Sequence, residues 1–288
     1  FTAASTLPRR MSIFASGFRS PYGVALSPAG ELYVSDTSDN VVKRIASDTI
    51  TTIAGALGQA GKADGQFALF NAPHGLAVTP LDGYIFAADT LNNEVRILYT
   101  GAPYVTAFSA AGTGVAGLTD DFSDKARFNA PMGVAATVRG NLYVADTGNN
   151  SIRKMTQVTG FIGYYAVSTV ASGLHAPLGV AVDPNENVFV ADTDAGNVLR
   201  NGSVIASNLD HPAAIAIDTR GNLFVTDRTG VHRIAPSGLM TTVVSGFDSL
   251  AGIAVDLANN IYVADSAAGV IRVLRPSSEI PARRRAVH

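Results

Sequence analysis

The sequence predicts an all-β chain in which one four-stranded unit is repeated around a closed ring. Three observations predict it. A single pattern recurs six times, starting at Pro21 (PYGVALSPAGELYVSD), Pro73 (PHGLAVTPLDGYIFAAD), Pro131 (PMGVAATVRGNLYVAD), Pro177 (PLGVAVDPNENVFVAD), Pro212 (PAAIAIDTRGNLFVTD) and Leu250 (LAGIAVDLANNIYVAD). Each copy ends on one aspartate: Asp36, Asp89, Asp146, Asp192, Asp227 and Asp265, at steps of 53, 57, 46, 35 and 38 residues. Within a copy, short β-branched and aromatic runs alternate with Gly, Asn, Asp and Pro, which is the pattern of an antiparallel meander.

The third copy gives the strands in order. Gly133 to Thr137 is the first run, Asn141 to Ala145 the second, Ser151 to Thr156 the third and Tyr164 to Val170 the fourth. The Arg139-Gly-Asn and Asp146-Thr-Gly-Asn-Asn segments between them are turns, because Gly and Asn accept positive φ and Asp caps nearby backbone. Four strands in a unit of roughly 40 residues is the signature of a propeller blade.

The unit resembles the NHL repeat, with its P-x-G-V-A…G-N-L-Y-V-A-D-T-x-N-N-x-I-R pattern. The third copy matches nearly throughout, and the fourth to sixth drift at the Asn-Asn turn. The resemblance runs from about Met11 to Leu274 and implies a six-bladed β-propeller of four-stranded antiparallel blades.

Closure follows from the ends. Thr169 to Leu174, Val204 to Leu209 and Thr242 to Phe247 are the outer strands that precede copies four, five and six. The similar segment Ile13-Phe-Ala-Ser-Gly-Phe18 precedes copy one, whereas copy six meets Pro276 without an outer strand of its own. The N-terminal strand, residues 11–16, is therefore expected to join the last blade beside Val270 to Leu274, which removes two open edges. The expected organisation is an arm at 1–10, one propeller at 11–275 and a tail at 276–288. Three arginines in that tail, Arg283 to Arg285, are too few for a nucleic-acid footprint.

Composition narrows the partners. Charged residues make up 15% of the chain, net charge is −2 and mean hydropathy is +0.21, against about 25% charged in ordinary globular proteins. A surface so sparsely charged favours association, and protein partners or self-association are expected. A pI of about 6.2 and four lysines exclude the basic face of the RNA-binding relatives. No run approaches the length of a membrane span, and there is no cysteine for a disulfide or thiol nucleophile. The chain begins at Phe1, which fits a mature chain freed of a targeting segment and also fits a trimmed piece. The sequons at Asn149 and Asn201 are candidate glycosylation sites, and with the composition they suggest an extracellular or cell-surface location.

Candidate chemistry lies where the repeat points into the central channel. Propeller lyases similar to this family hold zinc with histidines in the P-H-(G/S) slot of separate blades. Here only His74 fills that slot; the equivalents are Tyr22, Met132, Leu178, Ala213 and Ala251. Tyr22, His74, Met132 and Leu178 are therefore the candidate ligand site at the channel mouth, with no metal or other cofactor expected. The six repeat aspartates lie on a circle and cannot converge on calcium, so they are read as turn caps. The inner-strand Asp183, Asp218 and Asp256 come nearer the axis and are a weaker candidate for an ion. Two insertions, Gly55 to Ala72 and Ala111 to Ala130, align with each other through a shared Phe-Asn-Ala-Pro ending. Both fall between an outer and an inner strand, so both belong on one face, where loops commonly bind.

The functional expectation is a non-catalytic binding or assembly module, structural or adhesive, packing into an oligomer or filament. The alternative is a propeller hydrolase or lyase with its site at the channel mouth.

Overall fold

The computed structural model describes residues 9–101 and 104–276. The first eight residues of the arm and the tail after Pro276, with its arginine run, lie outside them. Six four-stranded antiparallel sheets are formed. Their inner strands are Pro21–Leu26, Pro73–Val78, Pro131–Ala136, Pro177–Val182, Ala214–Ile217 and Leu250–Val255. We number the blades one to six in that order. In blade three the remaining strands are Leu142–Asp146, Ser151–Gln157 and Tyr165–Ala171, within a residue or two of the runs read from the sequence.

Closure occurs as expected. Arg9–Ser16 pairs antiparallel with Val270–Pro276 in the order outer, third, second, inner, and Met11 faces Leu274. The strand starts two residues earlier than the sequence suggested, so Arg9 and Arg10 belong to the ring. Arg9 is held by the carbonyls of Asn259 (2.5 Å) and Leu274 (3.2 Å), and its guanidinium lies over Phe224 of blade five.

The core lies between the blades. Six hydrophobic clusters occupy the six blade interfaces, and each mixes side chains from two neighbouring sheets. The second strands of blades one, two, three and five, such as Leu142–Asp146, are buried along their whole length. A strand covered on both faces reads as a continuous apolar run rather than an alternating one, as LYVAD does.

Small residues set the width of the ring. A Cβ at Gly133 would overlap the carbonyl oxygen of Leu178 in the next blade, and Gly23, Gly75, Gly179 and Gly252 meet the next inner strand in the same way. The glycine of P-x-G is thus required by a close approach of backbones, and it brings six strands around a narrow axis.

The turns explain the rest of the repeat. In blades one to three, Asn40, Asn93 and Asn150 adopt left-handed φ of 57°, 53° and 51° after a single 3-10 turn. Their side-chain oxygens accept from the amides of Ala72, Ala130 and Ala176 just ahead of the next inner strand, at 2.8–2.9 Å. Blades four and six place Gly196 and Gly269 in the same left-handed region, which is why the Asn-Asn signature fades there without loss of the turn.

Candidate functional site

The mouth face carries the start of every inner strand and the turn after every repeat aspartate. Its recurring feature is a ring of hydroxyl bonds between blades. Thr37 donates to the carbonyl of Pro73 (2.7 Å), Thr90 to Pro131 (2.7 Å), Thr147 to Pro177 (2.6 Å), Thr193 to Pro212 (2.8 Å) and Ser266 to Pro21 (2.5 Å). Blade five has Arg228 at this position. There Thr226, two residues earlier, donates to Ala251 of blade six at 2.6 Å. The sequence held the signal in the residue after each Asp, but only the fold shows that this hydroxyl reaches across blades.

The repeat aspartates are not simple caps of their own turns. Asp36, Asp89 and Asp146 make no side-chain bond to the backbone of the 3-10 turn that follows. They accept instead from amides 16–18 residues upstream, at Arg19 and Ser20, Asn71 and Asn129. Asp192 accepts from His175 in the same way. Asp227 and Asp265 do bond amides of their own turn, at Gly230 and Ala268. In blades one, two, three and six a cation seven residues on, Lys43, Arg96, Arg153 or Arg272, also lies within 2.6–3.2 Å of the aspartate.

Arg96 and Arg153 are fully buried, and they decide what the insertions do. Arg153 donates to Asp146, to the carbonyls of Arg127 and Thr119 and to Asp120, while its guanidinium lies 5.1 Å from the ring centre of Phe128. Arg96 repeats the arrangement with Asp89, Leu69, Ala63, Asp64 and Phe70. The insertions are strapped onto blades two and three rather than displayed as free loops. Gly65 bridges to Ala107 and Phe122 to Ala166 on the outer strands, which covers two exposed sheet edges. Burial pushes the Asp89 carboxyl up to about 6 against the pull of Asn71, Asn92 and Arg96, and it raises Asp146 as well.

At the mouth itself the four expected residues are only partly assembled. Tyr22, Met132 and Leu178 line the channel together with Ala213; the free space is about 60 Å³, and His74 is not part of its wall. His74 instead meets Tyr22 edge-on, with ring centres 4.5 Å apart. Its Nδ1 lies 2.8 Å from the carbonyl of Ala72 and 2.8 Å from Thr90 Oγ1. Thr90 spends its own proton on Pro131, and a carbonyl can only accept, so Nδ1 carries the hydrogen. Nε2 is then the acceptor; the hydrogen bonds of the ring among the described residues are both made at Nδ1. Burial lowers the His74 pKa to about 4, partly opposed by the bond to Ala72, and raises Tyr22 to about 12. At neutral pH both groups are uncharged.

The remaining candidates resolve separately. Asn149 donates both amide hydrogens inside the fold, to Gly117 and Asp146, at 2.8 Å each, so a glycan there would sacrifice two structural bonds. Asn201 is exposed; its side chain donates to Asn187 and accepts from the amide of Val188. Asp183, Asp218 and Asp256 cap the first hairpin of blades four to six by accepting from residues two to four positions on. No group of three or more His, Cys, Asp or Glu converges among the described residues. The donor set of a three-ligand zinc site is therefore not assembled, and no step is derived through a metal. No described helix is long and apolar enough to cross a membrane.

Comparison with known proteins matches the NHL repeat model to residues 128–155, the third copy from its buried Phe128 to Met155. The chain is a six-bladed β-propeller that carries an NHL repeat at its third copy. A stretch of 149 residues is 32% identical to the chloroplast protein SUPPRESSOR OF QUENCHING 1 of Arabidopsis thaliana; it covers 48% of this propeller and 14% of that protein's length. Among solved structures, the propeller superposes on a gluconolactonase from Xanthomonas campestris with a TM-score of 0.71 at 15% identity, covering 93% of this chain and 90% of that one. It superposes on virginiamycin B lyase from Staphylococcus aureus with a TM-score of 0.65 at 13% identity, covering 93% and 99%. Likeness at this identity describes the fold.

Proposed function

We propose that this propeller is an enzyme, a hydrolase or lyase, that handles a neutral ester or lactone at the channel mouth. The observation carrying the reading is the fixed tautomer of His74, whose ring stands edge-on to that of the neutral Tyr22, with ring centres 4.5 Å apart. The pair offers one acceptor and one donor. Nε2 would hold a water or a substrate hydroxyl, and Tyr22 would donate to the carbonyl oxygen on which charge develops. Met132 and Leu178 supply the apolar floor. With a pKa near 4 the imidazole does not store a proton at neutral pH; it orients and polarises. The channel below is too narrow to admit a substrate, so the reacting group would rest on the mouth. The reading is supported by propellers of the same architecture whose names report lactone and lyase chemistry.

The test is turnover of a panel of lactones and aryl esters by the purified chain. Changing His74→Gln or Tyr22→Phe should each lower kcat/KM by about 100-fold or more. No turnover of any panel member, or turnover that both variants retain, overturns it.

The second reading is a non-catalytic binding or assembly module at a cell surface, packing with copies of itself. It is favoured by the small share that the matched segment takes of its plant relative, where that segment is one part of a much longer chain. Sedimentation and electron micrographs that show only monomers at high concentration count against it.

A further inference from the structure

Blade three carries an aromatic shelf on the face opposite the mouth, and nothing at the channel uses it. Phe122, from the second insertion, stacks on Tyr164 with ring centres 5.7 Å apart and planes at 7°. Phe161 meets Tyr164 at 6.3 Å. The Tyr164 hydroxyl donates to Asp124 at 3.0 Å, which holds the ring in place. Phe161 is 63% exposed and Ile162 67%, far beyond what an isolated hairpin tip needs. An open hollow of about 740 Å³ lies over this shelf. A second, of about 560 Å³, adjoins it across Phe161 and Ile162 and is walled by Arg139, Asn141, Gln157 and Thr159. Both fall within the ~300–1,000 Å³ of ordinary ligand pockets, unlike the channel.

The polar wall is unspent. Among the described residues, the Arg139 guanidinium, the Asn141 amide hydrogens, the Gln157 side chain and the Thr159 hydroxyl make no hydrogen bond to protein; the bonds recorded there run through backbone amides and the Asn141 oxygen. Four free polar groups beside a flat aromatic surface are a poor match for a second copy of this chain, whose docking would bury them unpaired. An extended peptide offers one donor and one acceptor per residue, with alternate residues facing away. A pyranose fits better: its C–H face lies on an aromatic ring, and its hydroxyls are dense enough to meet all four groups. Among the described residues Arg139 has no carboxylate partner, and a guanidinium takes a carboxylate through two parallel bonds.

We propose that the two hollows form one carbohydrate site that takes an acidic oligosaccharide, with a sugar ring on Phe161 and Tyr164 and a uronate carboxylate on Arg139. The site is independent of the channel mouth, so failure of either reading leaves the other standing.

The test is calorimetric titration of the full chain with trigalacturonate and with the matching neutral trigalactose. The acidic sugar should bind about tenfold more tightly. Arg139→Gln should erase that preference while leaving neutral binding intact. Phe161→Ser replaces an exposed ring, so the melting temperature should hold while affinity for both sugars falls about tenfold or more. The proposal is overturned if neither sugar binds at roughly 10 mM, or if binding survives Phe161→Ser. It is likewise overturned if the shelf proves to hold a polyproline peptide or a second copy, detected by competition and by sedimentation of the Phe161→Ser variant.

Discussion

Thr226 of blade five donates its hydroxyl to the carbonyl oxygen of Ala251 in blade six at 2.6 Å. It is the counterpart of the bond from Ser35 to the carbonyl of His74 in blade one, made by the residue before the repeat aspartate; in every other blade the residue after the aspartate also donates across the interface. Because Arg228 stands at that position, the ring of inter-blade bonds would otherwise be open at one interface. Thr226→Val keeps the shape and removes the donor, leaving a buried carbonyl unmet. Urea unfolding should show a loss of about 1–2 kcal/mol. Adding Arg228→Thr restores the repeat's usual donor and should recover part of that loss; no recovery would mean that the interface does not depend on the hydroxyl.

Arg153→Met should cost about 3–5 kcal/mol, because it leaves the buried Asp146 without its counter-charge. Arg153→Lys should cost nearly as much, since one ammonium cannot reach the four acceptors that the two guanidinium ends now satisfy. Hydrogen exchange offers a local readout. The amide of Thr169, which donates to Asp120 of the strap, should lose protection in both variants before the rest of blade three does.

Gly133→Ala places a methyl against the backbone of blade four, where only blade movement could make room. A loss of about 3 kcal/mol or more is expected. Ala214→Gly, at the equivalent position of blade five, should cost far less, because that interface already accommodates a methyl. Melting temperatures of the two variants give the comparison.

His74 predicts an acid sensitivity of definite sign. Its folded pKa is about 4 and its ordinary value 6.5. Between those values the unfolded chain binds the extra proton, so stability falls as pH drops from 6.5 toward 4. Asp89 has the opposite sign in nearly the same window. Its folded pKa of about 6 lies above the ordinary 3.8, so the folded chain takes up the proton and gains as pH falls from 6 toward 4. The two must be separated by difference. His74→Gln should lose roughly 2 kcal/mol less than the unmodified chain between pH 7 and pH 4. Identical pH profiles would show that the imidazole is not held neutral by the fold.

Much of this architecture was legible in the chain because a repeat is local information. Six copies, their turn residues and an orphan strand at each end specify the blade number and the closing pair Met11–Leu274, since an unpaired outer edge is costly wherever it falls. The insertions were visible as aligned segments, yet their role was not. Phe70 and Phe128 look like loop residues until Arg96 and Arg153 are seen lying over them. The candidate mouth residues were found from their slot in the repeat, but a slot gives only a direction along a strand. Whether Tyr22 faces the axis while His74 leans behind it depends on the side-chain packing of neighbouring blades.

By itself, then, the amino-acid order determined the class of fold, the blade count and which segment closes the ring, because each follows from periodicity and from the need to pair strand edges. Only the tertiary structure decided the hydroxyl ring, the burial of the Asp–Arg pairs, the tautomer of His74 and the aromatic shelf on blade three. Those depend on groups distant in sequence meeting across blade interfaces, where a few tenths of an ångström and the loss of water set which bonds form.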